Sequence, residues 1–367
     1  MIDKPRPQAL AQVMEISPYV PGHAPTKGSG PSFKLASNEN PLGASPAARQ
    51  AVIDVSANLE TYPDGSARAL REAIAQRYGL DANRIICGAG SDEIFQMLAK
   101  AYLETGDEII QTTHGFLVYH LVAQQSGAVT VIAPETQLRT DVDAILERVT
   151  AKTKMVFIAN PNNPTGTYIS FEDVRRLHAG LPSNVLLVLD AAYAEYVRAN
   201  DYSSGIELVS EFENVIMTRT FSKIYGLAAL RLGWGYAPMH VIDALHRVRG
   251  PFNVSETAQR AGIAAIQDQT FIETSLALND AQRERLTDGL EDLGLAPVPS
   301  VANFVLVNFP ESLGKTASDA AKYLDAHGVS VRAMAAYKLP DCLRISVGNA
   351  ESVDAVLSHL ADFLKTS

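Results

Sequence analysis

Between Arg84 and Thr220 the chain repeats one pattern: a short apolar run, a polar break, then a longer segment with apolar residues at helical spacing. The runs lie at 85–87, 108–110, 129–132, 155–159, 185–189 and 215–217, and each predicts a strand. The segments between them predict helices over 91–102, 117–125, 142–149 and 171–178. Strands this uniformly apolar are buried on both faces, so the pattern predicts a mostly parallel sheet covered by helices on both sides. After Gly233 the rhythm changes. Helices are predicted over 238–249, 257–267 and 270–293, short strands at 304–307, 329–332 and 343–347, and a closing helix over 352–364. The fold class is α/β, a large sheet domain joined to a small α+β domain.

Upstream of the sheet the pattern is weaker. Residues 1–37 carry Pro5, Pro7, Pro18, Pro21, Pro25 and Pro31, and read as an extended arm with one short helix over 9–14. Turns are predicted at 37–43 and 62–65, and a helix over 46–57. A second helix, over 67–78, is capped by Ser66 and ended by Gly79. The expected division is an arm over 1–43, a large domain over 44–250 and a small domain over 251–367. The arm needs a surface to lie on, either the body or a partner subunit.

Composition narrows the function classes. The 367 residues suffice for two cores, and 47% hydrophobic with 20% charged residues is the balance of an ordinary globular protein. A formal net charge of -10 argues against a nucleic-acid partner. The 2 cysteines, Cys87 and Cys342, sit in apolar segments and exclude a disulfide framework. Neither an apolar leader nor a membrane-spanning run is apparent, so the expected location is the cytoplasm, without a membrane partner. His114 and His120 lack a metal-binding frame, and no metal is expected.

The candidate chemistry clusters where predicted strands end. Thr220-Phe221-Ser222-Lys223 follows the run at 215–217, and Gly226 and Arg231 come after it. A lysine amine forms a Schiff base with a carbonyl, and pyridoxal phosphate is the cofactor that uses one. Thr220, Ser222 and Arg231 are candidate partners for its phosphate. Gly88-Ala89-Gly90-Ser91-Asp92-Glu93 lies between a strand and a helix. Glu93 breaks the dinucleotide fingerprint, but backbone N–H groups there can hold a single phosphate. The same residues also suit a plain helix N-terminus. Asn160-Pro161-Asn162-Asn163-Pro164-Thr165-Gly166 reads as a rigid loop presenting an amide. Asp190 ends a wholly apolar run, so its carboxylate needs a cation, and Tyr193 follows.

In this order and spacing, N-P-x-N-P-T-G, D-x-x-Y and S-K…R resemble the pyridoxal-phosphate enzymes of the aspartate aminotransferase fold (fold type I), over nearly the whole chain. The resemblance implies that Lys223 bonds the cofactor and shuttles a proton, and that Asp190 pairs with the ring nitrogen. Tyr193 and Asn163 would bind the ring's phenolic oxygen, and Phe116 would stack on the ring. Gly90, Ser91, Asp92, Ser222 and Arg231 would hold the phosphate, with Tyr62 reaching it from the other subunit of a homodimer. Arg344 would bind the substrate carboxylate.

Within that fold, S-N-E-N-P-L-G (37–43), Y-P-D-G (62–65), P-F-N-V-S (251–255), Val331-Arg332 and L-P-D-C-L-R-I-S-V-G (339–348) are similar to the histidinol-phosphate aminotransferases. Ala191, Ala229 and Phe116 depart from the usual pattern. Membership implies transamination of L-histidinol phosphate with 2-oxoglutarate, giving imidazole acetol phosphate and glutamate, a step of histidine biosynthesis. Arg332 and Tyr19 would then join Asn163 and Arg344 in binding substrate. H-G-F-L-V-Y (114–119) resembles a branch that also accepts aromatic amino acids, so an aromatic aminotransferase is the alternative. A decarboxylase of a phosphorylated amino acid shares most of these motifs. A binding module without chemistry would lack the lysine or the aspartate.

Overall fold

The computed structural model describes residues 7–18, 22 and 31–365. Its centre is a seven-stranded sheet. In spatial order the strands are Ile85–Gly88, Gly233–Tyr236, Val215–Thr220, Leu186–Asp190, Thr153–Ala159, Glu108–Thr112 and Val129–Ala133. Gly233–Tyr236 runs antiparallel to both its neighbours, and the other strands are parallel to one another. The six predicted strands are thus present, and the antiparallel one was not anticipated. Its sequence, Gly-Trp-Gly-Tyr, is half glycine and carries little apolar signal. Gly233 has a packing reason: a Cβ there would lie 2.3 Å from the Ser91 backbone nitrogen.

Alternation along the strands sends side chains to two cores, one on each face. Val215 and Met217 belong to one core with Leu70, Ile74, Val174, Leu177 and Ala261 on one face. Ile216 belongs to the other core, with Phe95, Leu98, Tyr119 and Leu245. Fully burying each such side chain contributes about 1.5–3 kcal/mol. The helix Arg68–Tyr78 ends at Gly79 with φ 68, as expected. Its start differs. Ala67 is the N-cap residue, and Asp64, rather than Ser66, accepts the Arg68 N–H at 2.8 Å.

The C-terminal part holds a four-stranded antiparallel sheet in the order Ala296–Pro297, Phe304–Asn308, Cys342–Ser346, Arg332–Ala333. The helices Gln269–Asp292 and Ala350–Lys365 cover it, burying Leu286, Leu290, Val356 and Leu360 against Val305 and Val307. A further helix, Ala317–Ala326, escaped prediction because its buried stripe is mostly alanine: Ala317, Ala320 and Leu324. The predicted strand at 329–332 is split. Val329–Ser330 pairs in parallel with Phe33–Lys34 of the arm, while Arg332–Ala333 joins the small sheet. The helix Glu256–Gln267 packs with the large core through Ala258, Ala261 and Ala265. Among the described residues no helix is long and apolar enough to cross a membrane.

Candidate active site

The parallel strands present their carboxyl ends along one edge, where open α/β sheets bind ligands. Their loops line a cavity of about 260 Å³. Ser91 and Asp92 follow Gly88, Phe116 follows Thr112, Pro161 and Asn163 follow Ala159, and Ser222 and Lys223 follow Thr220. Asp190 is the last residue of its strand. The opposite wall comes from Ala36, Ser37 and Asn38 of the arm and from Arg332, Tyr337 and Arg344.

Lys223 is held by a tight loop. Ser222 N–H donates to Thr220 Oγ1 at 3.1 Å, and Gly226 N–H to the Lys223 carbonyl at 3.0 Å. The Lys223 ammonium donates to the Ser37 carbonyl at 3.1 Å and lies 5.7 Å from the Tyr193 ring centre. Burial, and then the nearby Arg344 cation, bring its pKa down to about 8.

Asp190 is buried at the foot of the cavity. One carboxylate oxygen accepts the Tyr119 hydroxyl at 2.6 Å, and the other accepts the Ala192 N–H at 3.2 Å. Burial raises its pKa to about 6, opposed by the Tyr119 hydrogen bond. Tyr193 is buried too, and burial pushes its phenol up to about 12. Its hydroxyl accepts a hydrogen bond from Asn38 Nδ2 at 2.9 Å.

At one end of the cavity Gly90, with φ 84, precedes the helix Ser91–Tyr102. Arg231 lies over it. Its guanidinium donates to Ser222 Oγ at 3.2 Å and to Asp92 Oδ2 at 3.3 Å. A Cβ on Gly90 would sit 2.5 Å from Arg231 Nη2, so only glycine leaves the backbone clear. Arg231 itself has φ 50. A left-handed arginine costs about 1–2 kcal/mol and persists only where its surroundings fix it. The outcome is an anion cradle of helix N–H groups, a hydroxyl and a guanidinium.

On the opposite wall Arg344 donates to Asn163 Oδ1 at 2.5 Å and to the Ala36 carbonyl at 2.8 Å. Arg332 is its cross-strand neighbour in the antiparallel register.

The structure therefore brings Ser91, Asp92, Phe116, Asn163, Asp190, Tyr193, Ser222, Lys223, Arg231, Arg332 and Arg344 to one cavity, with Gly90 under Arg231. Tyr62 does not line it. That side chain is 82% exposed and stacks on Phe252 at 4.6 Å. Tyr19 lies outside the described residues. Sequence reasoning missed two residues. Asn38 lies in the turn predicted at 37–43, where no local pattern marks its amide for a role. Tyr119 stands three residues after Phe116, the helical spacing that would have placed both on one side. His114 binds Glu135 at 2.7 Å and His120 faces Thr130 Oγ1 at 2.9 Å. No cluster of metal-ligating side chains occurs among the described residues.

The family model for "Aminotransferase class I and II" matches residues 31–360. A histidinol-phosphate aminotransferase of Rhodopseudomonas palustris strain HaA2 is 52% identical over 98% of this chain and 99% of its own length. The crystal structure of a histidinol-phosphate aminotransferase from Sinorhizobium meliloti, in complex with pyridoxal 5'-phosphate, superposes with a TM-score of 0.84. It is 30% identical and covers 90% of each chain. A mutant aspartate aminotransferase of Thermus thermophilus, 22% identical, shares the fold with a TM-score of 0.83 over 97% of this chain and 99% of that one. The chain belongs to the class I and II aminotransferases and, within them, to the histidinol-phosphate aminotransferases.

Proposed function

We propose that the chain transfers the amino group of L-histidinol phosphate to 2-oxoglutarate, giving imidazole acetol phosphate and glutamate in histidine biosynthesis, with pyridoxal phosphate in the cavity. The observation that carries this reading is the joint placement of Lys223, Asp190 and the Gly90–Arg231 cradle along one sheet edge, in a chain 52% identical to a histidinol-phosphate aminotransferase.

The residues fit the cofactor. The cradle suits its phosphate, since the first turn of the helix Ser91–Tyr102, the Ser222 hydroxyl and the Arg231 guanidinium converge there. Buried Asp190 suits a protonated ring nitrogen, being a carboxylate in want of a cation. Tyr193 and Asn163 would face the phenolic oxygen, Phe116 would cover a ring face, and Lys223 is the amine that would bond it. When bound, the cofactor supplies an electron-withdrawing ring that acidifies the substrate's Cα–H.

The remaining work falls to this chain's side chains. Lys223 Nζ, at about 8, is poised to take a proton from Cα and give it up again near neutral pH. Asp190 holds negative charge where the ring nitrogen would lie. Arg344 presents a guanidinium fork that matches a carboxylate bidentately. Arg332, beside it, supplies the further charge that a phosphate requires, and Tyr19 would add a hydroxyl.

The same reading includes a homodimer in which Tyr62 reaches the partner's phosphate site. Exposed Tyr62 and Phe252, with Leu42, Ile53 and Leu59 nearby in sequence and also exposed, support an apolar contact there. Tyr62→Phe should weaken cofactor binding, and sedimentation should find no active monomer. A cytoplasmic location is part of the proposal, as for other small-molecule biosynthesis.

The test is a panel of amino donors assayed with 2-oxoglutarate. Histidinol phosphate should give the highest kcat/KM. A preference for phenylalanine or tyrosine would move the assignment to an aromatic aminotransferase.

A further inference from the structure

We propose that Tyr119 is a positioning residue for the reaction: its hydroxyl fixes the charge and the orientation of Asp190, and its ring fixes Phe116. The inference rests on the reading that Asp190 faces the cofactor's ring nitrogen.

Tyr119 lies on the helix Leu117–Gln125, whose N-cap residue is Phe116. It is fully buried. Its ring stacks on Phe157 at 4.7 Å and meets Phe95 edge-on at 5.2 Å. A third ring contact, edge-on at 5.7 Å, is with Phe116 itself. Held by three aromatic rings, the side chain has one orientation, and its hydroxyl ends 2.6 Å from Asp190 Oδ2. That distance is typical of a hydroxyl donating to a charged oxygen. One buried residue thus touches both groups that would grip the cofactor ring, the stacking phenyl and the carboxylate.

The charge balance at Asp190 explains why such a donor is needed. Burial favours the neutral acid, and so does Asp92, which faces it from the helix Ser91–Tyr102. Lys223, from the loop after Val215–Thr220, favours the carboxylate, as does the Ala192 N–H. Tyr193 and Tyr202 face it as neutral phenols, both pushed up chiefly by burial. Thr218, its cross-strand neighbour, has no hydrogen-bond partner for Oγ1 among the described residues. Tyr119 supplies the short hydrogen bond. It stays a donor because burial, and then the Asp190 charge, hold its phenol well above the usual range. A carboxylic acid at Asp190 would present a proton where the ring nitrogen needs a negative charge.

Tyr119→Phe removes the hydroxyl and keeps the ring. In the cofactor-free protein, the Asp190 carboxyl titration followed by ¹³C NMR should move up by about one to two pH units. In the holoenzyme, kcat at pH 7 should fall at least about tenfold, with KM for the donor little changed. An unmoved titration overturns the inference, including one accompanied by a lower melting temperature, which would make the hydroxyl merely structural. Unchanged turnover despite a moved titration overturns it as well. If the unaltered enzyme had no transaminase activity, the functional reading would fail instead, and the titration would still decide the Tyr119–Asp190 coupling.

Discussion

One wall of the cavity is the edge of a parallel sheet; the other is assembled from the arm and the small sheet. On the sheet wall, Asp190 and Lys223 belong to adjacent strands and their loops, which are paired in register and buried on both faces. A second buried layer lies behind them. Arg219 pairs with Glu195 at 3.1 Å and covers the Tyr78 ring at 4.6 Å, tying the strand before Lys223 to the segment after Tyr193. On the facing wall, Arg344 and Arg332 sit on paired strands of the small sheet, but the arm segment at 36–38 is tied to that sheet by single hydrogen bonds between distant segments. Asn38 N–H donates to Ser346 Oγ at 2.8 Å, Asn303 to the Asn38 carbonyl at 2.9 Å, and Arg344 to the Ala36 carbonyl at 2.8 Å. The contrast suggests a division of labour. On the proposed roles, groups that would hold one geometry for every substrate sit on the sheet, and groups that would choose the substrate sit on the wall that can be rebuilt residue by residue.

The comparison breaks first at Asp190. Asp190→Ala should cut transamination by orders of magnitude for every donor, while the cofactor still binds through the phosphate cradle and Lys223. Steady-state kinetics and cofactor titration check both halves. Near-normal turnover would take Asp190 out of the mechanism.

A change on the opposite wall should be selective instead. Losing a charged hydrogen bond costs about 1.5–3 kcal/mol, which is roughly tenfold to a hundredfold in kcat/KM. Arg332→Ala should inflict that loss on histidinol phosphate and much less on phenylalanine. Equal losses for all donors would show that Arg332 does not distinguish them.

How much of this was legible in the sequence follows the same divide. The sheet wall was readable because each apolar run ends abruptly in polar residues, as at Leu189-Asp190. The facing wall was readable only through family resemblance. Arg332 and Arg344 meet through a strand register that no local pattern specifies, and the predicted strand at 329–332 concealed a switch between two sheets. Tyr119 was lost for another reason. It is an aromatic residue at a core position of an apolar helix, and its polar end becomes informative only once Asp190 lies 2.6 Å away. Gly233–Tyr236 was missed because close packing against Ser91 demands glycine, which erases the strand signal.

Smaller effects should report on how the walls communicate. Arg344 is one of the groups that lower the Lys223 pKa, after burial. Arg344→Ala should raise the Lys223 titration from about 8 toward the ordinary 10.5, leaving less free amine at pH 8. Competitive labelling of the cofactor-free protein measures this, and an unmoved titration would uncouple the walls. The sign for stability follows from linkage. Between about 8 and 10.5 the unfolded chain keeps a proton on Lys223 that the fold releases, so this group makes cofactor-free stability rise with pH across that window. Lys223→Met should remove that rise in denaturation curves.

The proposed chemistry stands or falls with Lys223. Borohydride reduction of the purified, cofactor-loaded enzyme, followed by peptide mapping, tests it directly. The expected result is loss of the yellow absorbance, irreversible inactivation, and a cofactor label on Lys223, the residue between Ser222 and Ile224. Label on another lysine, or none at all, would contradict it.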